Sequence, residues 1–217
     1  MPIDPLAAFI PIAKIVDVPL VLFSNPSVPA KNFAEFLGYA KKNPGKLNYG
    51  SPAPGSVNHL LLERIKQATN LDMVHIPFRG TPPGVVALLS NEIQLFTVGL
   101  QAGAGQVKEG KLTALAVATG QRLDMLPEVP TLIESGLPGL IGVNWWALAV
   151  PKGTPDPIVA KLREAVTAAL RDPQIVARFA AMGVLTPVET PHQFAAGLKA
   201  EADLWADIVK RGRIVVE

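Results

Sequence analysis

The sequence contains no cysteine at any of its 217 positions. That absence removes disulfides, thiolate nucleophiles and cysteine-based metal sites together, and it leaves the compartment open. Charge of either sign is sparse: 20 Lys and Arg stand against 18 Asp and Glu, a formal net charge of +2. No basic stripe is interleaved with aromatics, so no nucleic-acid partner is expected. The opening stretch, MPIDPLAAFIPIAKIVDVPLVLF, lacks a Lys/Arg-rich start before an apolar run. Prolines, Asp4 and Asp17 interrupt it, which excludes a signal peptide or a membrane span within it.

What is present is apolar residue. The hydrophobic fraction is 49% and the charged fraction 18%, enough for one large α/β domain or two small ones. Most of the 21 prolines and 18 glycines stand singly between periodic segments, a pattern of many short loops.

One stretch organises the rest. Residues 47–65, LNYGSPAPGSVNHLLLERI, read as strand, small-residue loop and helix. Ser56 is placed to cap the helix, which opens at Val57 and carries Leu60, Leu61 and Ile65 on one face. Loop and helix start together offer backbone donors and a positive dipole end, which suits a small anion such as a carboxylate. Before this stretch, residues 18–24 (VPLVLFS) predict a buried strand. Residues 30–42 then carry Phe33, Phe36, Leu37 and Ala40 at helical spacing. After it comes a short strand at 73–77 and a second polar loop, Phe78-Arg79-Gly80-Thr81-Pro82-Pro83. Thr81 is the expected cap there, with Pro82 at the first helical position. Strands at 93–98 and 112–119 flank a short helix ending at Gly110.

Strands alternating with helices predict parallel βαβ units with a sheet covered on both faces. Ligands then sit beyond the carboxyl ends of the strands, which places Ser51, Ser56, Gly80, Thr81 and Thr97 on one rim. Residues 121–142 read as an irregular linker around one helical turn at 131–135. Residues 143–150 (VNWWALAV) are strand-like, and three helices follow at 156–170, 173–182 and about 192–211. This tail does not read as a complete domain with its own sheet.

The chemical motifs are thin. Residues 50–56 have P-loop-like glycine spacing but no lysine, and Gly110-Lys111 lacks the Ser or Thr that would hold magnesium. No G-x-S-x-G elbow occurs. His59, His75 and His192 are scattered, and a satisfied structural or surface histidine is the simpler reading of each. No cluster has metal-ligand spacing, so neither metal nor cofactor is expected. Arg79 reads equally as an anion-neutralising side chain or as an exposed loop arginine. Trp145 and Trp146 straddle a strand, a pattern that suits core or subunit packing better than ligand stacking.

The ordered strings NPSVPAKNFAEFLGYAKKNPGKLNYGSPAPGSVNHL, HIPFRGTPPGVVALLSNEI, GKLTALAV, LPEVPTLIESGLPG and WWALAVPKGTP resemble the Bug family, extracytoplasmic solute receptors of tripartite tricarboxylate transporters. The resemblance implies an α/β, periplasmic-binding-protein type II-like fold and a two-lobed, non-enzymatic receptor that holds a small carboxylate. It implies membrane transporter subunits as partners and a periplasmic location. Ligand contacts would come from Gly50, Ser51, Gly55, Ser56, Arg79, Gly80, Thr81 and Thr97, with Ser51, Ser56 and Thr81 as hydroxyl donors and Gly55 and Gly80 as backbone donors. Two departures stand out. The family's opening segment, with its Pro- and Gly-rich first ligand loop, has no counterpart, and Gln94 and Thr97-Val98 replace an acidic residue and an Asp-Asn pair. The expected division is therefore 1–20 as a remnant of a first lobe, 21–143 as the α/β ligand-binding lobe, and 144–217 as a tail returning to the first lobe. A tail left without a sheet would expose apolar surface, which predicts a homo-oligomer or tail-swapped dimer. The rival readings are an effector-sensing domain of a transcription regulator, an orphan half-receptor without affinity, and a small-molecule lyase or transferase. The regulator would need a helix-turn-helix segment, and the enzyme a base–nucleophile constellation.

Overall fold

The computed structural model describes residues 4–186 and 189–215. Strand β1 (Phe9–Ser24) follows a short α1 (Pro5–Ala8). Then come α2 (Phe33–Lys42), β2 (Leu47–Ser51), α3 (Val57–Thr69), β3 (Met73–Pro77) and α4 (Thr81–Leu89). They are followed by β4 (Leu95–Gly99), α5 (Leu100–Lys108) and β5 (Thr113–Val117). The chain ends with β6 (Val143–Pro151), α6 (Asp156–Leu170), α7 (Pro173–Ala181) and α8 (Pro191–Gly212). It divides into two compact units, residues 1–18 with 145–207, and residues 19–144 with 208–217.

The larger unit is built on strands in the order β3-β2-β4-β1-β5. β2 runs parallel to β3 and β4, whereas β1 runs antiparallel to β4 and β5. The sheet is thus mixed: β3, β2 and β4 form the parallel βαβ units expected, and β1 adds antiparallel pairings to that parallel lobe. The βαβ rule applies to neighbouring strands joined by a crossover, and β1 lies between β4 and β5, neither of which follows it directly in the chain. Alternation along each strand sorts the core into two layers. Leu20 and Leu22 of β1 and Leu95 of β4 join Phe33, Phe36, Leu61, Leu62 and Ile65 of α2 and α3. Val21, Phe23, Phe96 and Val98 point to the opposite face, with Ala87 and Leu88 of α4 and Leu100 of α5. Helix α4 is short and must lie close: a Cβ at Gly84 would sit 2.3 Å from the Phe96 ring.

Local signals explain the helix starts. Asn32 caps α2 by accepting from the Glu35 amide at 3.0 Å, and the Glu35 carboxylate accepts from the Lys31 amide at 2.8 Å. Ser56 accepts from the His59 amide at the head of α3, and Asn70 ends that helix at φ 53°. Helix α4 differs from expectation. Its N-cap is Gly80, at φ 102°, and Thr81 is the first helical residue. Gly110, at φ 70°, lies just beyond α5, where the sequence places the end of that helix.

In the smaller unit β6 pairs with β1, whose first half belongs to the same unit. The tail therefore does have a strand to pair with. The extension of β1 over residues 9–17 was not legible because Pro11, Lys14 and Asp17 break its apolar alternation. Lys14 bonds Asp17 at 2.8 Å and Glu189 at 3.1 Å, and Arg163 donates to the Pro11 carbonyl at 3.0 Å. Glu201 is gripped by two indoles, accepting from Trp145 at 2.7 Å and from Trp205 at 3.0 Å. Trp145 also meets Phe194 edge-on at 5.5 Å, so it packs inward while Trp146 stays 69% exposed.

Candidate functional site

Because β2 and β3 are parallel neighbours in register, Gly50 beside Ile76 and Ser51 beside Pro77, the loops that follow them leave the sheet side by side. They are bonded to each other: the Phe78 amide donates to the Ser51 carbonyl at 2.9 Å and the Gly80 amide to the Pro52 carbonyl at 2.8 Å. The two small-residue loops thus form one rim.

Four of the expected donors, Gly80, Gly55, Ser56 and Ser51, have partners within the protein. Gly80 spends its amide on Pro52, and the Gly55 amide donates to His59 Nδ1 at 3.0 Å. Ser56 Oγ donates to the Ala53 carbonyl at 2.7 Å while capping α3. Ser51 Oγ lies 3.0 Å from the Ala53 carbonyl and 2.8 Å from His75 Nε2, and Ser51 is fully buried. Gly50 is a packing position, where a Cβ would meet Ile93, Phe78 and Phe96 within 2.9 Å. Helix α4 begins Thr81-Pro82-Pro83, and two prolines supply no N–H, so Thr81 alone offers a first-turn donor before Gly84. Helix α3 keeps first-turn amides at Val57 and Asn58 without intrahelical acceptors. Arg79 is exposed on the second loop.

Thr97 lies in β4, on the same face as Leu95 and therefore on the α3 side. Its carbonyl accepts from Asn58 Nδ2 at 2.6 Å, and Asn58 Oδ1 accepts from Asn144 Nδ2 at 3.3 Å. The Thr97 hydroxyl is buried and makes no hydrogen bond to the described residues. Asn58 and Asn144 did not stand out in the sequence, since each pairs across long sequence separation.

The histidines do come together in part. His59 and His75 stack at 3.8 Å, and Tyr49 stacks on His75 at 4.9 Å. Burial pushes His75 down to about 4, with the adjacent His59 adding to the effect, and burial lowers His59 as well. The Tyr49 hydroxyl bonds Glu63, and burial followed by that bond drives the phenol well above its ordinary value. Burial would raise Glu63, but the bonds from Lys66 and Tyr49 outweigh it and hold the carboxyl low. The signal that could have found the pair was positional: a first-turn residue of α3 and a central residue of the adjacent β3. His192 lies apart, on α8. Among the described residues no group of three or more His, Asp or Glu could hold a metal, and no helix is long and apolar enough to cross a membrane.

In an α/β unit, neighbouring strand ends and helix starts that form a rim are where a small ligand binds. The sequence model of the tripartite tricarboxylate transporter family receptor matches residues 1–214, and the chain belongs to that family. It is 31% identical over 210 residues to protein BugT of Bordetella pertussis, which covers 97% of this chain. The chain spans 64% of BugT's length, less than two-thirds of that relative. Solved structures share the fold, two from Rhodopseudomonas palustris among them. The R. palustris protein Rpa4515 with adipate has a TM-score of 0.88 and 30% identity, covering 99% of this chain and 72% of its own. MatC (Rpa3494) from Rhodopseudomonas palustris with bound malate has a TM-score of 0.79 and 32% identity, covering 93% and 69%.

Proposed function

We propose that this chain is a receptor for a small carboxylate, acting in the periplasm and passing its ligand unchanged to a tripartite tricarboxylate-type membrane transporter. The observation that carries the reading is the joined pair of loops beside the first turn of α3, in a family with members solved with adipate and malate. The α3 amides at Val57 and Asn58, the Thr81 amide and hydroxyl, and the Thr97 hydroxyl are the donors for the carboxylate, with Arg79 as its charge partner. Ser51, Ser56, Gly50, Gly55 and Gly80 shape the rim through their internal bonds and packing. A thermal-shift and calorimetric screen of adipate, malate and their uncharged amides tests this. A carboxylate should raise the melting temperature and be recovered intact, the amides should not, and Arg79→Ala should weaken binding about tenfold or more. Stabilisation by the amides alone, or turnover of the ligand, would refute it.

A second reading concerns self-association. In the smaller unit Leu6, Phe9, Trp146, Ile158, Met182 and Leu185 are exposed, which favours a homo-oligomer that covers them. A monomer by light scattering at high concentration would dismiss it.

A further inference from the structure

Two stacked imidazoles tie down the loop between β2 and α3. Their ring centroids lie 3.8 Å apart with planes 12° from parallel. Each reaches one point of the loop: His59 Nδ1 receives the Gly55 amide at 3.0 Å, and His75 Nε2 meets Ser51 Oγ at 2.8 Å. A ring nitrogen that accepts an amide proton carries none of its own, so His59 is neutral with its proton on Nε2. We propose that His59 is a positioning residue that works as a proton-operated latch: the neutral ring holds the Gly55 amide, and one proton on Nδ1 releases it.

The chemistry follows from donor counting. Protonated Nδ1 sets one N–H against another, and the former bond becomes a contact between two donors. The ring cannot swing aside freely, because its face is covered by His75 and His59 is 4% exposed. The groups around it settle how readily the proton arrives. Burial of the ring is the largest influence and holds the proton off; on α3, Glu63 favours the charged ring while Lys66 opposes it. On β3, His75 is itself held low, to about 4, by burial and then by the neighbouring His59, so it stays neutral while His59 takes up its proton. On β2, Tyr49 is neutral and already bonded to Glu63. The released residue is Gly55, at φ 70° and without a side chain to anchor it, so its amide is left without that acceptor while the Ser56 bonds to Ala53 remain. The bonds from Phe78 and Gly80 to Ser51 and Pro52 involve no titrating atom and persist.

The inference rests on the proposed function only for what the loop serves, and its test uses the ligand-free chain. Amide hydrogen exchange is followed by NMR from about pH 7.5 to about pH 4.5, as protection relative to an unstructured peptide at each pH, alongside the His59 ring titration. Gly55 protection should fall about tenfold or more as His59 takes up its proton, the equivalent of one hydrogen bond, while Phe78 and Gly80 keep theirs. His59→Asn, whose side-chain oxygen accepts but does not titrate, should hold Gly55 protection flat across the range. His59→Phe should lose it already at neutral pH; should that variant not fold, the wild type and His59→Asn still decide. Constant Gly55 protection while His59 titrates overturns the latch. So does an undiminished pH dependence in His59→Asn, or a His59 that stays neutral until the whole chain unfolds. A failed ligand screen touches none of these readouts, so the two readings fail separately.

Discussion

The two units of this chain differ sharply in what they bury. Both large core clusters lie in the unit of residues 19–144 with 208–217, where Phe23, Phe33, Phe36, Phe96 and Tyr49 are wholly inaccessible. In the other unit the buried apolar side chains among the described residues are Ile12, Val16, Val159 and Phe194. Its amphipathic helices α6 and α7 leave Ile158 and Val176 in the open. Burial of apolar surface is the main favourable term in folding, so the two units should not be equally stable. The lesson is that good helical periodicity guarantees a helix face, not something to cover it.

The chain supplies its own probes of this contrast, because Trp145, Trp146 and Trp205 lie in the sparsely buried unit and Tyr39 and Tyr49 in the other. The largest expected effect is from Phe36→Ala, which should cost about 3–5 kcal/mol in the tyrosine-monitored transition. Phe194→Ala should instead shift only the tryptophan-monitored one, and that transition should come first in denaturant. Coincident transitions for both probes would abolish the distinction.

Acid should act on the well-buried unit next. His59 and His75 both titrate below the ordinary 6.5, His75 at about 4, so the folded rings stay neutral where the unfolded chain already binds protons. Their contribution to stability is complete above pH 6.5 and is lost as pH falls through about 4. Denaturation midpoints measured across that window should decline in the tyrosine signal, and a flat profile would contradict it. Thr97→Val should be smaller and of opposite sign: removing an unpaired buried hydroxyl should raise stability by about 1 kcal/mol while weakening carboxylate binding. At the low end, Lys199→Ala breaks an exposed pair with Asp203 on α8 and should leave both transitions where they are.

Much of the α/β unit was legible in the sequence. The strand–loop–helix at residues 47–65 and the Ser56 cap were visible because each rests on neighbours within a few positions. The α4 start was misread by one residue: Thr81 satisfies the capping rule, but Gly80, with its positive φ, takes the cap. The site was legible as a place, not as a set of atoms. Which amides face a ligand depends on which ones the protein uses itself, and Gly55 and Gly80 are bonded to partners no local pattern reveals.

By itself the sequence determined the α/β character, the order of the elements, the two small-residue loops and the membership of a receptor family, since all of these are carried by local periodicity, turn chemistry and ordered motifs. Only the tertiary structure decided that β1 runs antiparallel between β4 and β5, that β6 finds it as a partner, and that His59 and His75 meet over the loop. Those features depend on contacts between residues far apart in the chain, and hydrogen-bond pairing across such distances leaves no periodic trace.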